Sequence, residues 1–255
     1  MSRRFLACWT LLVVFGGVVS AQRGFPPVDI TRVEPLEFGE VVRGAPFRAE
    51  AITEMTQELR DGNRIEQRST VTIARDGTGR IRREQALPPI GPVITDPDVR
   101  MITISDSRQR ALYFVDPQRR TVSRSTVPPG PPPPRGDRGG GGRLPPPQIS
   151  SEALGNRQIL GLRAEGTRQT LTIPPGAFGN VGPIQVVTER WYSPELKIVL
   201  ESRRTDPRMG DVTYRVTHLL RGEPDAALFE IPSDYTVIER PGPFGPPPRR
   251  GPGER

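Results

Sequence analysis

His218 is the only histidine of the 255-residue chain, and Cys8 is its only cysteine. A Ser-His-Asp relay, a Cys-His pair or a two-histidine metal site needs more partners than these counts supply. His218 lies in the alternating run 212–220, on the face that carries Val212, Tyr214, Val216 and Leu220. That placement predicts a core histidine with a satisfied ring nitrogen rather than a proton shuttle. Paired carboxylates are the remaining simple catalytic device, because a glycosidase-type site needs only two acids held at a set separation. Glu189, Glu195, Glu201 and Asp211 lie in consecutive strands and turns, but at positions where solvated charge is expected and with no aromatic density to hold a sugar. A carboxylate-pair hydrolase therefore ranks third among the functions considered.

Two other stretches imitate motifs. Gly139–Gly142 lacks the lysine and Ser/Thr of a phosphate loop and runs into prolines instead of a helix. Arg135-Gly136-Asp137 matches an adhesion tripeptide, a match that an arginine-glycine stretch produces by chance. The aromatic residues say more. Trp191 and Tyr192 are adjacent at a strand end, so their side chains point to opposite faces, one into the core and the other toward an opening. With Tyr113 they make up the candidate ligand-binding set. No residue is assigned to catalysis, to a metal or to a cofactor.

The elements that must position these residues begin after an export signal. Met1-Ser2-Arg3-Arg4 is a basic head, 5–19 is an apolar run, and Val19-Ser20-Ala21 offers the small residues that a signal peptidase reads, so 1–21 is expected to be removed near Ala21. The run is shorter than the roughly 18–20 apolar residues that span a bilayer. Cys8 follows the basic head too closely for a lipobox. The mature chain is then free of cysteine and exported, to the periplasm or beyond, with no disulfide to brace it.

The formal net charge of +7 would suggest nucleic acid until the charges are located. Most of the excess sits in the basic head, in 128–148 (Arg135, Arg138 and Arg143 against Asp137) and in the tail 239–255 (Arg240, Arg249, Arg250 and Arg255 against two glutamates). The rest is nearly neutral, so no nucleic-acid partner is expected. Lys197 is the only lysine, a bias that GC-rich coding explains. The segments 128–148 and 239–255 are rich in proline and glycine and cannot pack a core, so disordered spacers are expected there. Their functional use would be contact with anionic envelope polymers.

Residues 22–46 read as an extended lead-in, with one edge strand near 38–42. Between the spacers, 47–127 and 149–238 alternate with period 2. Phe47, Ala49, Ala51, Thr53 and Met55 share one face of the first strand. Further strands are expected at 65–73, 81–87, 101–105, 112–115, 121–127, 159–164, 167–173, 184–192, 197–203 and 212–220, with 228–232 closing the chain. Turns fall at Asp61-Gly62-Asn63, Asp76-Gly77-Thr78-Gly79, Ser107-Arg108-Gln109, Asp116-Pro117-Gln118 and 206–210. Helical period is nearly absent; the best candidate is one turn at 151–154, and 222–227 reads as a loop with a helical turn. The fold class is all-β: one strongly curved antiparallel sheet or half-barrel across 47–238, with two smaller sheets as the alternative arrangement.

The runs Ile184-Gln185-Val186-Val187-Thr188-Glu189-Arg190-Trp191-Tyr192 and Leu228-Phe229-Glu230-Ile231-Pro232, with Asp76 to Glu84, resemble an uncharacterised exported β-rich family common in acidobacteria. That resemblance implies export and brings no activity. More distantly, the strand order is similar to the half-barrel of periplasmic lipoprotein carriers and of the periplasmic sigma-factor regulator sharing that fold. The resemblance implies that an acyl chain or a peptide lies against the curved sheet, although this chain has no helix-period segments to cover the cup. The function expected is a non-enzymatic exported binding protein for a lipid-like ligand or an extended peptide, or else an envelope regulator or tether acting through the Pro/Arg segments.

Overall fold

A computed structural model describes residues 41–86, 100–126 and 148–240. It contains twelve strands: β1 (Phe47–Glu58), β2 (Arg64–Arg75), β3 (Ile81–Ala86), β4 (Arg100–Asp106), β5 (Ala111–Asp116), β6 (Thr121–Thr126), β7 (Gln148–Ile159), β8 (Leu162–Ile173), β9 (Ile184–Ser193), β10 (Ile198–Asp206), β11 (Gly210–Arg221) and β12 (Thr236–Arg240). They form one open sheet in the order β12-β6-β5-β4-β3-β2-β1-β11-β10-β9-β8-β7. Every pairing is antiparallel except that of β12 with β6. The all-β class and the single sheet follow the sequence expectation, and the two-sheet arrangement is not what forms.

Aspartates fix the hairpins. Asp76, Asp106, Asp116 and Asp206 each end or follow a strand and accept backbone N–H groups of the turn through Oδ1. This is the local hydrogen bonding that makes aspartate a turn former. Three turns close on non-glycine residues in the left-handed region, Arg110, Arg120 and Lys197. Gly210 has no such latitude: at φ +89° a Cβ there would lie 2.1 Å from the Thr56 carbonyl oxygen.

The sheet is coiled. Arg75 of β2 donates through Nη2 to the carbonyl of Leu196 at 2.6 Å, in the β9–β10 turn. In a flat sheet, β2 and β10 would stand three strand spacings, roughly 14 Å, apart. The face bearing Arg75 is therefore the inner one. On it Phe47, Ala49, Ala51, Val71, Ile73, Tyr214 and Val216 pack with Leu196, Ile198 and Leu200. The β7–β8 tip joins the same core through Ile159, Leu162 and Ala164.

Strands β4 to β6 bury mainly the opposite face, whereas β3 still turns Ile81 and Gln85 inward. Ile104 of β4 and Ala74 pack beneath Phe229, with Tyr113, Val115 and Leu228 around them. Phe229 ends the 3-10 turn Ala226–Phe229, which Asp225 caps by accepting from the Ala227 amide. Ile102, Ala111 and Val122 are buried on this outer face as well.

The differences from the sequence reading have local causes. No helical turn forms at 151–154, which lies within β7; as an edge strand exposed along nearly its whole length, β7 carries no hydrophobic period to announce it. The strands expected at 159–164 and 167–173 are one hairpin tip and one continuous β8, since Gly166 stays in the strand. No strand forms at 228–232; the chain makes its 3-10 turn there, and β12 follows, running to Arg240 inside the segment assigned to the tail. Gln148, assigned to the spacer, opens β7. Val41 and Val42 are not in a strand, and 38–40 lie outside the described residues, as do the signal segment 1–21 and most of 128–148 and 241–255.

His218 is also corrected. The register of β1 against β11 shifts between Glu50 and Ala51, leaving Thr217 as the inserted residue, its hydroxyl donating to the Glu50 carbonyl at 3.2 Å. Past that bulge the phase inverts. Leu219 turns inward, while Leu220 is exposed and the His218 side chain is 77% exposed, 3.4 Å from Glu50 Oε2.

Candidate functional site

The three candidate aromatics do not form one site. Tyr113 lies on β5, third in the sheet order from the β12 edge, whereas Trp191 and Tyr192 lie on β9, third from the β7 edge. Trp191 is half-buried against the inner core. Its ring lies over Gly166, where a Cβ would come within 2.7 Å of Cζ3, and the Arg157 guanidinium covers it at 3.9 Å from the ring centroid. Arg157 is also paired with Glu201. Trp191 is thus sandwiched between a strand backbone and a cation, a structural setting. Tyr192 is exposed. The adjacent rings do part as the strand period requires.

The four carboxylates considered for acid chemistry are separated by arginines. Glu189 accepts from Arg168, Asp211 from Arg203 at 2.7 Å, Glu201 from Arg157 and Glu195 from Arg221. Glu189 also stands opposite Arg203 across β9 and β10, so that it and Asp211 have an arginine between them. Among the described residues, no group of three or more His, Cys, Asp or Glu side chains could hold a metal ion.

What the inner face offers instead is a gradient of polarity in its rows. One row runs Val216, Ala51, Val71 through neighbouring strands. The next toward the open end runs Ser202, Tyr214, Thr53, Ser69, a line of four hydroxyls across β10, β11, β1 and β2. Gln85 stands beside it and donates to Ser69 Oγ at 3.2 Å, while its own Oε1 is buried with no partner among the described residues. Beyond that lie Arg204, Val212, Met55 and Gln67. Thr53, Met55 and Ser69 border only a shallow depression there.

At the apolar end the face is closed by Arg75. It is 1% exposed, stacks 4.7 Å over Phe47, and donates to the carbonyls of Ala45 and Leu196. Burial pushes its guanidinium down to about 10, so it stays charged at neutral pH.

Among the described residues the β7 edge is the longest unpaired backbone: twelve residues bonded to β8 on one side only. An edge of this kind presents free N–H and C=O groups. A register shift between Ala153 and Gly155 divides it. In its first half an apolar row crosses the sheet, from Val186 (buried) through Leu171 to Ile149, which is 69% exposed. That row ends in solvent where a further strand would continue it. Sequence reasoning missed Ile149, because its neighbours Gln148, Ser150 and Ser151 give no strand signal.

A second concavity lies on the outer face, a cavity of about 450 Å³ at the ends of β4 and β5. Ile104, Phe229 and Ile231 supply its apolar walls; Asp106, Glu230 and Arg80 supply its charges; Tyr113 and Gln109 meet there in a 3.0 Å hydrogen bond.

The chain matches no family model and no curated protein. Among solved structures it is similar to MucB in complex with MucA from Pseudomonas aeruginosa, with 12% identity and a TM-score of 0.40 over 77% of this chain and 59% of that one. It is also similar to LprF from Mycobacterium bovis, with 14% identity and a TM-score of 0.29 over 75% of this chain and 90% of that one. A LolA superfamily protein from Nitrosomonas europaea matches with 11% identity and a TM-score of 0.30 over 72% and 90%. The chain spans about three fifths of the length of the MucB chains it matches. The distant resemblance to the lipoprotein-carrier and regulator half-barrel thus recurs as a likeness of fold, and at these scores it is a likeness of fold alone.

Proposed function

We propose that this is an exported, non-enzymatic binding protein of the cell envelope whose ligand is an extended polypeptide segment that adds to the β7 edge. The observation that carries this reading is the apolar row Val186, Leu171, Ile149, which runs out into solvent at an edge strand with unpaired backbone. A segment with alternating apolar side chains gains backbone hydrogen bonds from that edge and extends the row, the two elements of strand addition. Export rests on the leader-like segment 1–21.

A lipid-like amphiphile on the inner face is the second reading. It is favoured by the line of hydroxyls bordering the apolar rows, a match to a molecule with one polar end. Tyr192 would be a rim contact for either ligand. Tethering through the Pro/Arg segments involves residues outside those described, and deleting 128–147 and 241–255 would abolish envelope association if that is their role.

A photoreactive benzoylphenylalanine at position 149, introduced into the exported protein in its producing cells, tests the leading reading. Cross-links to polypeptide that disappear with Ser151→Pro are expected. Cross-links to lipid alone favour the second reading, and none above a position-220 control contradict the first.

A further inference from the structure

Residues 174–183 join β8 to β9 and contain no charged side chain. The two bulky apolar side chains of this loop stand in solvent, Phe178 at 56% and Val181 at 99% exposure. Isolated exposed apolar residues are ordinary. These two differ in being held out by a built scaffold. Asn180 accepts the Phe178 amide through Oδ1 at 3.0 Å and donates through Nδ2 to the carbonyls of Pro174 and Gly182 at 3.0 and 2.7 Å. The amides of Gly176, Ala177 and Gly179 donate to carbonyls of the same loop. Pro174, Pro175 and Pro183 have no amide to satisfy.

The base of the loop is positive. Arg208, in the β10–β11 turn, lies 5.1 Å over the Phe178 ring. It pairs with Asp206 through Nε and Nη2 at 2.9 and 2.8 Å, and Arg204 Nη2 approaches the same carboxylate at 3.4 Å. Asp206 is buried, whereas both arginines reach solvent. Two guanidiniums thus share one carboxylate, and the neighbouring Asp211 is taken by Arg203. An apolar tip above a net positive base matches the layering of a lipid surface, acyl chains beneath phosphate headgroups. A protein partner would need a pocket to receive so convex a tip. A fluid bilayer opens around it, provided the entering backbone makes its hydrogen bonds internally.

We infer that the loop 174–183 is a membrane-docking element, which inserts Phe178 and Val181 into an anionic lipid surface while Arg204 and Arg208 contact its phosphates. The loop supplies none of the backbone of the β7 edge, so the inference stands or falls separately from strand addition.

A nitrobenzoxadiazole label on single cysteines tests this in the exported protein carrying Cys8→Ser. The probe is a vesicle of phosphatidylethanolamine and phosphatidylglycerol in equal parts. Label at Val181→Cys is expected to brighten on adding vesicles. Label at Leu160→Cys, exposed at the opposite end of β8, is expected to stay unchanged. Followed through the label at position 181, Phe178→Ser should weaken the vesicle titration about tenfold. Arg204→Gln should weaken it about fivefold. A silent label at 181, or an equal response at 160, overturns the inference, as does full affinity in a folded Phe178→Ser protein. Full affinity in a folded Arg204→Gln protein overturns the phosphate contact. If either variant does not fold, the two labels in the otherwise unaltered chain decide alone.

Discussion

One sheet holds two cores that lie on opposite faces. In β1, β2 and β8 to β11 the inner face is buried and the outer face carries arginine-carboxylate pairs such as Arg215 with Glu54 and Arg203 with Asp211. In β4 to β6 the outer face is buried under the segment around Phe229; on the inner face Leu112 and Ser125 are still buried, but Phe114 is 41% exposed. Coiling explains the contrast. Where the sheet curls far enough for Arg75 to reach the β9–β10 turn, its inner surfaces cover one another without a helix; where it does not, the chain returns over the outside to supply the cover. The same division places the two concavities, a hydroxyl-lined inner surface in one half and a walled outer cavity in the other.

The sharpest way to break the inner core is Arg75→Ala. It removes the cation stacked on Phe47 and leaves two carbonyl acceptors unserved, so a loss of about 3–5 kcal/mol is expected in denaturant titration. A loss below about 1 kcal/mol would mean that the coil does not depend on this clamp. Phe229→Ala should cost about 3 kcal/mol and act on the other half. Amide hydrogen exchange is expected to speed up in β4 to β6 while β9 to β11 keep their protection; uniform acceleration would show that the cores are not separable.

Asp206 sharpens the comparison through pH. Burial alone would raise its carboxyl, but hydrogen bonds and charge from Arg208, with Arg204 adding to them, hold it below the usual carboxylate range. A lowered folded-state value confers stability that is complete above the unfolded value of about 3.9 and lost as pH falls through the folded one. Asp206→Asn should therefore be less stable by about 1–2 kcal/mol at pH 7 and lose less than wild type on acidification below pH 4. Equal acid sensitivity would remove Asp206 from the account. The smallest effect belongs to His218→Ala. With its side chain in solvent, a change within about 0.5 kcal/mol is expected by thermal unfolding.

Much of this was legible from residue types. The alternation of Phe47, Ala49, Ala51, Thr53 and Met55 gave the inner face of β1, and the turn signals gave the hairpins β1–β2, β2–β3, β4–β5, β5–β6 and β10–β11. Two things were not legible, for physical reasons. A bulge such as that at Thr217 inverts the phase without altering composition, so His218 and Leu220 read as core. An edge strand buries neither face, so β7 has no period to detect. The tyrosine that lines the cavity, Tyr113, was among the candidates, but nothing in the sequence brings it beside Asp106 and Phe229.

The opposed cores can be tested directly by thiol accessibility, since with Cys8 replaced by serine the chain contains no other cysteine. Single cysteines at Ala51 and Phe114 sample the inner face of the two halves, and those at Glu50 and Ile104 sample the outer face. The account predicts slow labelling of Ala51→Cys and Ile104→Cys with fast labelling of Glu50→Cys and Phe114→Cys. Protection of Phe114→Cys together with reactive Ile104→Cys would place both cores on the same face and contradict it.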